Sequence, residues 1–96
     1  MAAFTDAQIE ESLDSLPSWS QEGEAIVKTF EFADFRAALD FMNRAAGPID
    51  EMDHHPEWTN VYNRVDVRLT SHDVGGVTGR DVQLAKVLER VAGTKI

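Results

Sequence analysis

Trp58-Thr59-Asn60-Val61-Tyr62-Asn63-Arg64-Val65-Asp66-Val67-Arg68-Leu69-Thr70-Ser71-His72 reads as two strands, 58–63 and 65–72, folded back as a hairpin. In the second strand Val65, Val67 and Leu69 point one way while Asp66, Arg68, Thr70 and His72 point the other. That period of two belongs to a strand with one buried face. Such a sheet needs a cover on its apolar side, and the flanking sequence offers helices for it.

Upstream, Asp34 is a candidate N-cap, and Phe35, Ala38, Leu39, Met42 and Ala45-Ala46 follow a 3.6-residue period. Gly47-Pro48 is expected to stop this helix, leaving 49–57 as a connecting region. Before it, Trp19 to Gln21 and Glu24 to Ala33 read as strands around Gly23, with Ile26, Phe30 and Phe32 alternating against Val27, Thr29 and Glu31. At the N-terminal end Thr5 caps a short helix, Gln8 closes a capping box, and Phe4 staples against Ile9. Ile9, Leu13 and Leu16 share its face, and Pro17 follows.

Downstream, Gly75, Gly76 and Gly79 suggest a flexible loop, and Thr78 caps a last helix. Val82, Ala85, Leu88 or Val87, and Val91 form that helix's expected buried face before Gly93. The order is αββαββα. The expected fold is α+β, a four-stranded antiparallel sheet with three helices packed on one face, forming a single domain over residues 1–96. The second helix has more apolar surface than one small sheet covers, so a homo-oligomer is expected.

Seventeen acidic residues against nine basic give a net charge of −8. That balance repels a phosphate backbone, which argues against direct nucleic-acid binding. Without cysteine there is no disulfide, no thiolate metal site and no cysteine nucleophile. No apolar run approaches the roughly 18–20 residues of a bilayer span, and the start of the chain lacks the basic-then-apolar pattern of a signal peptide. The expectation is a soluble cytoplasmic protein with no membrane contact.

There are only three histidines, two of them in His54-His55-Pro56 behind Asp50, Glu51 and Asp53. Imidazole exchanges protons near neutral pH, and Pro56 holds His55 extended. If the hairpin pairs, its open end brings His72 and neighbouring Asp73 back toward His54 and His55, so that all three histidines line one cleft. Asp50 or Asp81 can then orient an imidazole for general acid/base work. Asp81, three residues after Thr78, is equally placed to close a helix capping box. Trp58 and Tyr62 are more ordinary as hairpin packing than as a ligand platform. A nitrogen-and-oxygen metal site from these histidines and an aspartate is the rival reading, but neither HxH nor HExxH spacing is present. No metal is expected.

Together these residues resemble the pterin-4a-carbinolamine dehydratases, whose signature is an acidic residue, His-His-Pro, an aromatic residue, a further His or Trp, and an Asp. Here those elements are Asp50, His54-His55-Pro56, Tyr62, His72 and Asp81. Asp53 to Trp58, Asn60 to Asn63, Trp19, the Phe30 to Phe35 region and Arg80-Asp81 extend the resemblance along nearly the whole chain. It implies a hydro-lyase that dehydrates 4a-hydroxytetrahydropterin, left by an aromatic amino acid hydroxylase, to quinonoid dihydropterin without a cofactor. It implies His54, His55, His72 and Asp81 as catalytic residues. Asp50, Pro56, Trp58, Ser71 and Asp73 are implied at the substrate, with main chain of 54–56 and 71–73 edging the pterin. Asp50 stands where animal members often have Glu, with Glu51 beside it. The resemblance also implies a homodimer or homotetramer. The alternative is a protein-binding module or transcriptional coactivator working through its oligomerisation helix.

Overall fold

The computed structural model describes residues 2–93. The elements are α1 (Asp6–Leu13), β1 (Ser20–Glu22), β2 (Ala25–Glu31), α2 (Phe35–Met52), β3 (Glu57–Val61), β4 (Arg64–Leu69) and α3 (Gly79–Ala92). Their order is the expected αββαββα. All strand pairs are antiparallel, and the sheet runs β1-β2-β4-β3. The alternating strand β4 is therefore internal, between β2 and its hairpin partner.

Across that sheet Ile26 stands opposite Leu69, Lys28 opposite Val67 and Phe30 opposite Val65. Trp58 faces Val67 from the other side. This register gathers Ile26, Phe30, Val65, Val67 and Leu69 on one face, none more than 4% exposed. The helices cover that face with Ile9, Ala38, Phe41, Ala45, Ile49, Leu84, Ala85 and Leu88. Phe41 is the hub, its ring 4.9 Å from both Phe30 and Phe32 and 6.3 Å from Trp58. Thr29, Thr59, Asp66 and Arg68 occupy the opposite, uncovered face.

The helix stop expected at Gly47-Pro48 does not occur, since α2 continues to Met52 with Pro48 inside it. Proline there has no N–H for the Arg44 carbonyl, a defect of about 3 kcal/mol in a helix interior. The stripe Ala38, Phe41, Ala45, Ile49 runs through it unbroken, each residue no more than 3% exposed. Burying Ile49 contributes about 1.5–3 kcal/mol, and Met52 packs against the same core. Tertiary burial thus overrides the local signal. The result positions the site: α2 carries Asp50 in its last turn and ends at Asp53, whose φ of 50° turns the chain directly into His54.

Two further readings change. The glycine loop is a closed turn, with Ser71 N–H donating to Gly76 O at 2.9 Å and Gly76 N–H to Ser71 O at 3.3 Å. Gly76 is needed there, because a Cβ would sit 2.9 Å from Ala3 Cβ, and Gly79 already belongs to α3. In α3 the buried face includes Leu84 and, unexpectedly, Glu89, which is 2% exposed. Lys28 Nζ reaches both Glu89 oxygens at 2.6 and 2.7 Å and lies 4.2 Å over the Phe30 ring. Among the described residues no helix is long and apolar enough to cross a membrane.

Candidate active site

The β3–β4 register places Glu57 opposite Arg68, so residues 54–56 and 70–72 meet at the open end of the hairpin. Glu57 joins them: Arg68 Nη1 donates to its Oε2 at 2.8 Å, and His72 Nε2 lies 4.0 Å from its Oε1. The hairpin thus brings His72 to Glu57, at the β3 end that follows the His54-His55 segment.

His54 is the buried histidine. Its Nε2 lies 2.6 Å from Oδ1 of Asp81, which has no exposed surface. The other carboxylate oxygen of Asp81 accepts from Ser71 Oγ at 2.8 Å and from the Thr78 N–H at 2.9 Å. Ser71 Oγ also contacts Thr78 Oγ1 at 2.9 Å. A buried carboxylate is tolerable only when its acceptor sites are filled, and here a histidine, a hydroxyl and a main-chain amide fill them. Asp81 closes the α3 capping box with Thr78, and its other oxygen contacts His54.

The other two histidines are exposed. His55, 59% exposed, has its Nε2 at 3.0 Å from Asp50 Oδ1. That contact exists because α2 runs past Pro48 and carries Asp50 to the histidine loop. His72, 77% exposed, sits in the 71–76 turn. Neighbouring Asp73 accepts from Arg80 Nη2 at 2.7 Å. That guanidinium holds the Asp73 carboxyl below its ordinary value of 3.8.

Of the residues expected at the substrate, Pro56 is half-buried beside the histidines, and Trp58 is half-buried against Phe41. Ser71 is only 1% exposed, and its N–H, C=O and hydroxyl are all bonded within the protein. A groove of about 780 Å³ on the uncovered sheet face begins at Pro56, Glu57 and Trp58 and continues over Thr29, Asp66 and Arg68. The histidines border it without lining it. Tyr62 lies at the opposite end of the hairpin, in the β3–β4 turn, 63% exposed with a φ of 51°. It does not join the histidines.

Sequence reasoning missed Glu57, Arg80 and the hydroxyl of Thr78 as parts of this arrangement. Glu57 carried no local signal, and Thr78 was legible only as a cap. Arg80 was visible beside Asp81, but its pairing with Asp73 depends on the closed turn. Among the described residues no three side chains of metal-ligating type converge on one point. Chemically, the arrangement offers one buried imidazole held by a carboxylate and two exposed imidazoles, side chains suited to proton transfer.

The chain is similar to known proteins along nearly its whole length. Residues 2–91 match the family described as pterin 4 alpha carbinolamine dehydratase. A Novosphingobium aromaticivorans protein provisionally named pterin-4-alpha-carbinolamine dehydratase is 50% identical over 91 residues, covering 93% of this chain and 95% of its own. A Rhodopseudomonas palustris protein of the same provisional name is 51% identical over 91 residues, covering 93% and 90%. Among solved structures, a transcriptional coactivator/pterin dehydratase from Brucella melitensis superposes with a TM-score of 0.92 at 42% identity, covering 95% of this chain and 99% of that one. A pterin dehydratase-like protein identified as a RuBisCO assembly factor in the alpha-carboxysome superposes at 0.67 with 17% identity, over 80% of this chain and 89% of its own, and shares the fold alone.

Proposed function

This chain belongs to the pterin-4a-carbinolamine dehydratase family, and we propose that it dehydrates 4a-hydroxytetrahydropterin to quinonoid dihydropterin by histidine acid/base catalysis. The observation that carries the reading is the buried His54–Asp81 contact at 2.6 Å, set beside two exposed histidines at one hairpin end. His54, held by Asp81, takes the N5 proton, and the electron pair left on N5 forms the N5=C4a bond. The C4a–O bond breaks, and the hydroxyl leaves as water with a proton from His72, whose exposed ring is free to turn toward it. His55, tethered to Asp50, holds the pterin edge. Each well-placed proton transfer is worth about 10²–10⁴ in rate.

The reaction places the protein after an aromatic amino acid hydroxylase in a pterin-recycling sequence, in the cytoplasm. The test is the decay of the 4a-hydroxy intermediate with wild type, His54→Ala and His72→Ala. Loss of the acceleration in both variants is expected, and a wild type no faster than buffer would sink the reading.

A second reading rests on α2. Phe35 and Leu39, one turn apart on this helix, are 45% and 41% exposed, and a second copy of the chain is the occupant we assign to that face, in a dimer or tetramer. On the same helix Arg44 donates to Val91 O at 2.7 Å and to Asp40 at 2.8 Å. Sedimentation of wild type against Leu39→Glu tests the assembly. An unchanged mass for the variant argues against it.

A further inference from the structure

The hydrogen bonds behind His54 have a direction that can be counted out. Thr78 Oγ1 receives the main-chain N–H of Arg80 at 3.2 Å and its Nε–H at 3.4 Å. Both groups can only donate. The Thr78 hydroxyl proton must therefore point elsewhere, and its remaining partner is Ser71 Oγ at 2.9 Å. Accepting there, Ser71 directs its own single proton to Asp81 Oδ2 at 2.8 Å, where the Thr78 N–H also arrives at 2.9 Å. Oδ2 is then filled by two donors, and Oδ1 is left to His54 Nε2.

We propose that Ser71 is a positioning residue: its hydroxyl, oriented by Thr78, holds Asp81 as a pure acceptor, so that His54 carries its ring proton on Nε2 and presents Nδ1 to the substrate. The proposal deepens the dehydratase reading and rests on it. It also gives Ser71 a different task from the substrate contact expected of it, for a residue 1% exposed with every polar group engaged has nothing left for a ligand. An isolated buried hydroxyl would be costly, yet this one completes a continuous line from Arg80 to His54. The carboxylates paired with His55 and His72, Asp50 and Glu57, are exposed. Of the three imidazoles, His54 is the one whose tautomer is set from behind.

The experiment compares kcat and KM of wild type, Ser71→Ala and Ser71→Thr, with His54→Ala as the inactive reference. It also records the ¹⁵N spectrum of the histidine rings in the unliganded protein, with His54 assigned from the His54→Ala spectrum. Ser71→Ala is expected to lower kcat about 10–100-fold, by analogy with the loss of groups that orient metal-bound histidines, with little change in KM. Ser71→Thr keeps the hydroxyl and restores the rate, and the wild-type spectrum places the neutral-ring proton of His54 on Nε2. Wild-type kcat in Ser71→Ala, or the proton on Nδ1, overturns the proposal. If Ser71→Ala does not fold, the wild-type spectrum still decides. A wild type no faster than buffer, by contrast, overturns the dehydratase reading, while the ring proton reports independently on the positioning.

Discussion

Asp81 Oδ1 lies 2.6 Å from His54 Nε2 across 27 positions of sequence, and the same side chain closes the capping box of α3. One carboxylate thus couples the stability of a helix to the orientation of a catalytic candidate. Asp81→Asn keeps the shape and loses the charge. Turnover is expected to fall by about 10² or more, since the amide can present a donor where His54 needs an acceptor. Asp81→Ala is expected to cost about 2–4 kcal/mol as well, from the lost cap and from buried donors left unpaired. Chemical denaturation beside steady-state rates separates the two effects, and equal activity in Asn and wild type contradicts the coupling.

The exposed pair His55–Asp50 should behave differently. Both side chains are more than half exposed, and such pairs contribute about 0–1 kcal/mol. Asp50→Ala is expected to leave the melting temperature nearly unchanged while weakening substrate binding through His55. An increase in KM at constant stability is the signature to look for.

Lys28 and Glu89 form the opposite case, an ion pair inside the core with side-chain exposures of 13% and 2%. Glu89→Ala strands the lysine and is expected to destabilise by about 3–5 kcal/mol. Lys28→Met combined with Glu89→Met should recover most of that loss, because two apolar groups need no partner. A double variant no more stable than Glu89→Ala would refute this account.

Pro48 offers a stabilising change. Pro48→Ala restores the N–H that the Arg44 carbonyl lacks, against a smaller loss from a freer unfolded chain. A net gain of about 1–2 kcal/mol is expected, read as a higher melting temperature with unaltered activity.

Acid should loosen the His72 turn. The Arg80 guanidinium holds the Asp73 carboxyl below its ordinary 3.8. A depressed folded-state value stabilises the fold above the unfolded value, and that contribution fades as pH falls through the folded one. Protection of the amides of residues 71–76, taken relative to their intrinsic exchange rates, is expected to fall below about pH 4 in wild type. In Asp73→Asn it should already be lower at neutral pH, and equal protection in the two proteins at pH 7 would remove the pair from the account.

What could be read along the chain were features whose cause is local. Alternation in Val65, Val67 and Leu69 marked a buried strand face, Thr5 with Gln8 and Thr78 with Asp81 marked helix starts, and His54-His55-Pro56 marked where proton chemistry could sit. Pro48 misled for the same reason: its cost is local, whereas the burial of Ile49 that outweighs it comes from residues elsewhere in the chain. Glu89 was not among the residues read as the buried face of the last helix, because its partner, Lys28, lies 61 positions away.

The sequence by itself therefore determined the elements, the α+β class and the identity of the residues able to exchange protons, since periodicity, capping and side-chain chemistry act over a few neighbours. Only the tertiary structure decided that β4 lies between β2 and β3, that Asp81 serves His54 while Asp50 serves His55, and that Tyr62 lies away from the histidines. Those outcomes depend on which apolar faces exclude water together, and a carboxylate finds its histidine only after that burial has brought the two chain segments into contact.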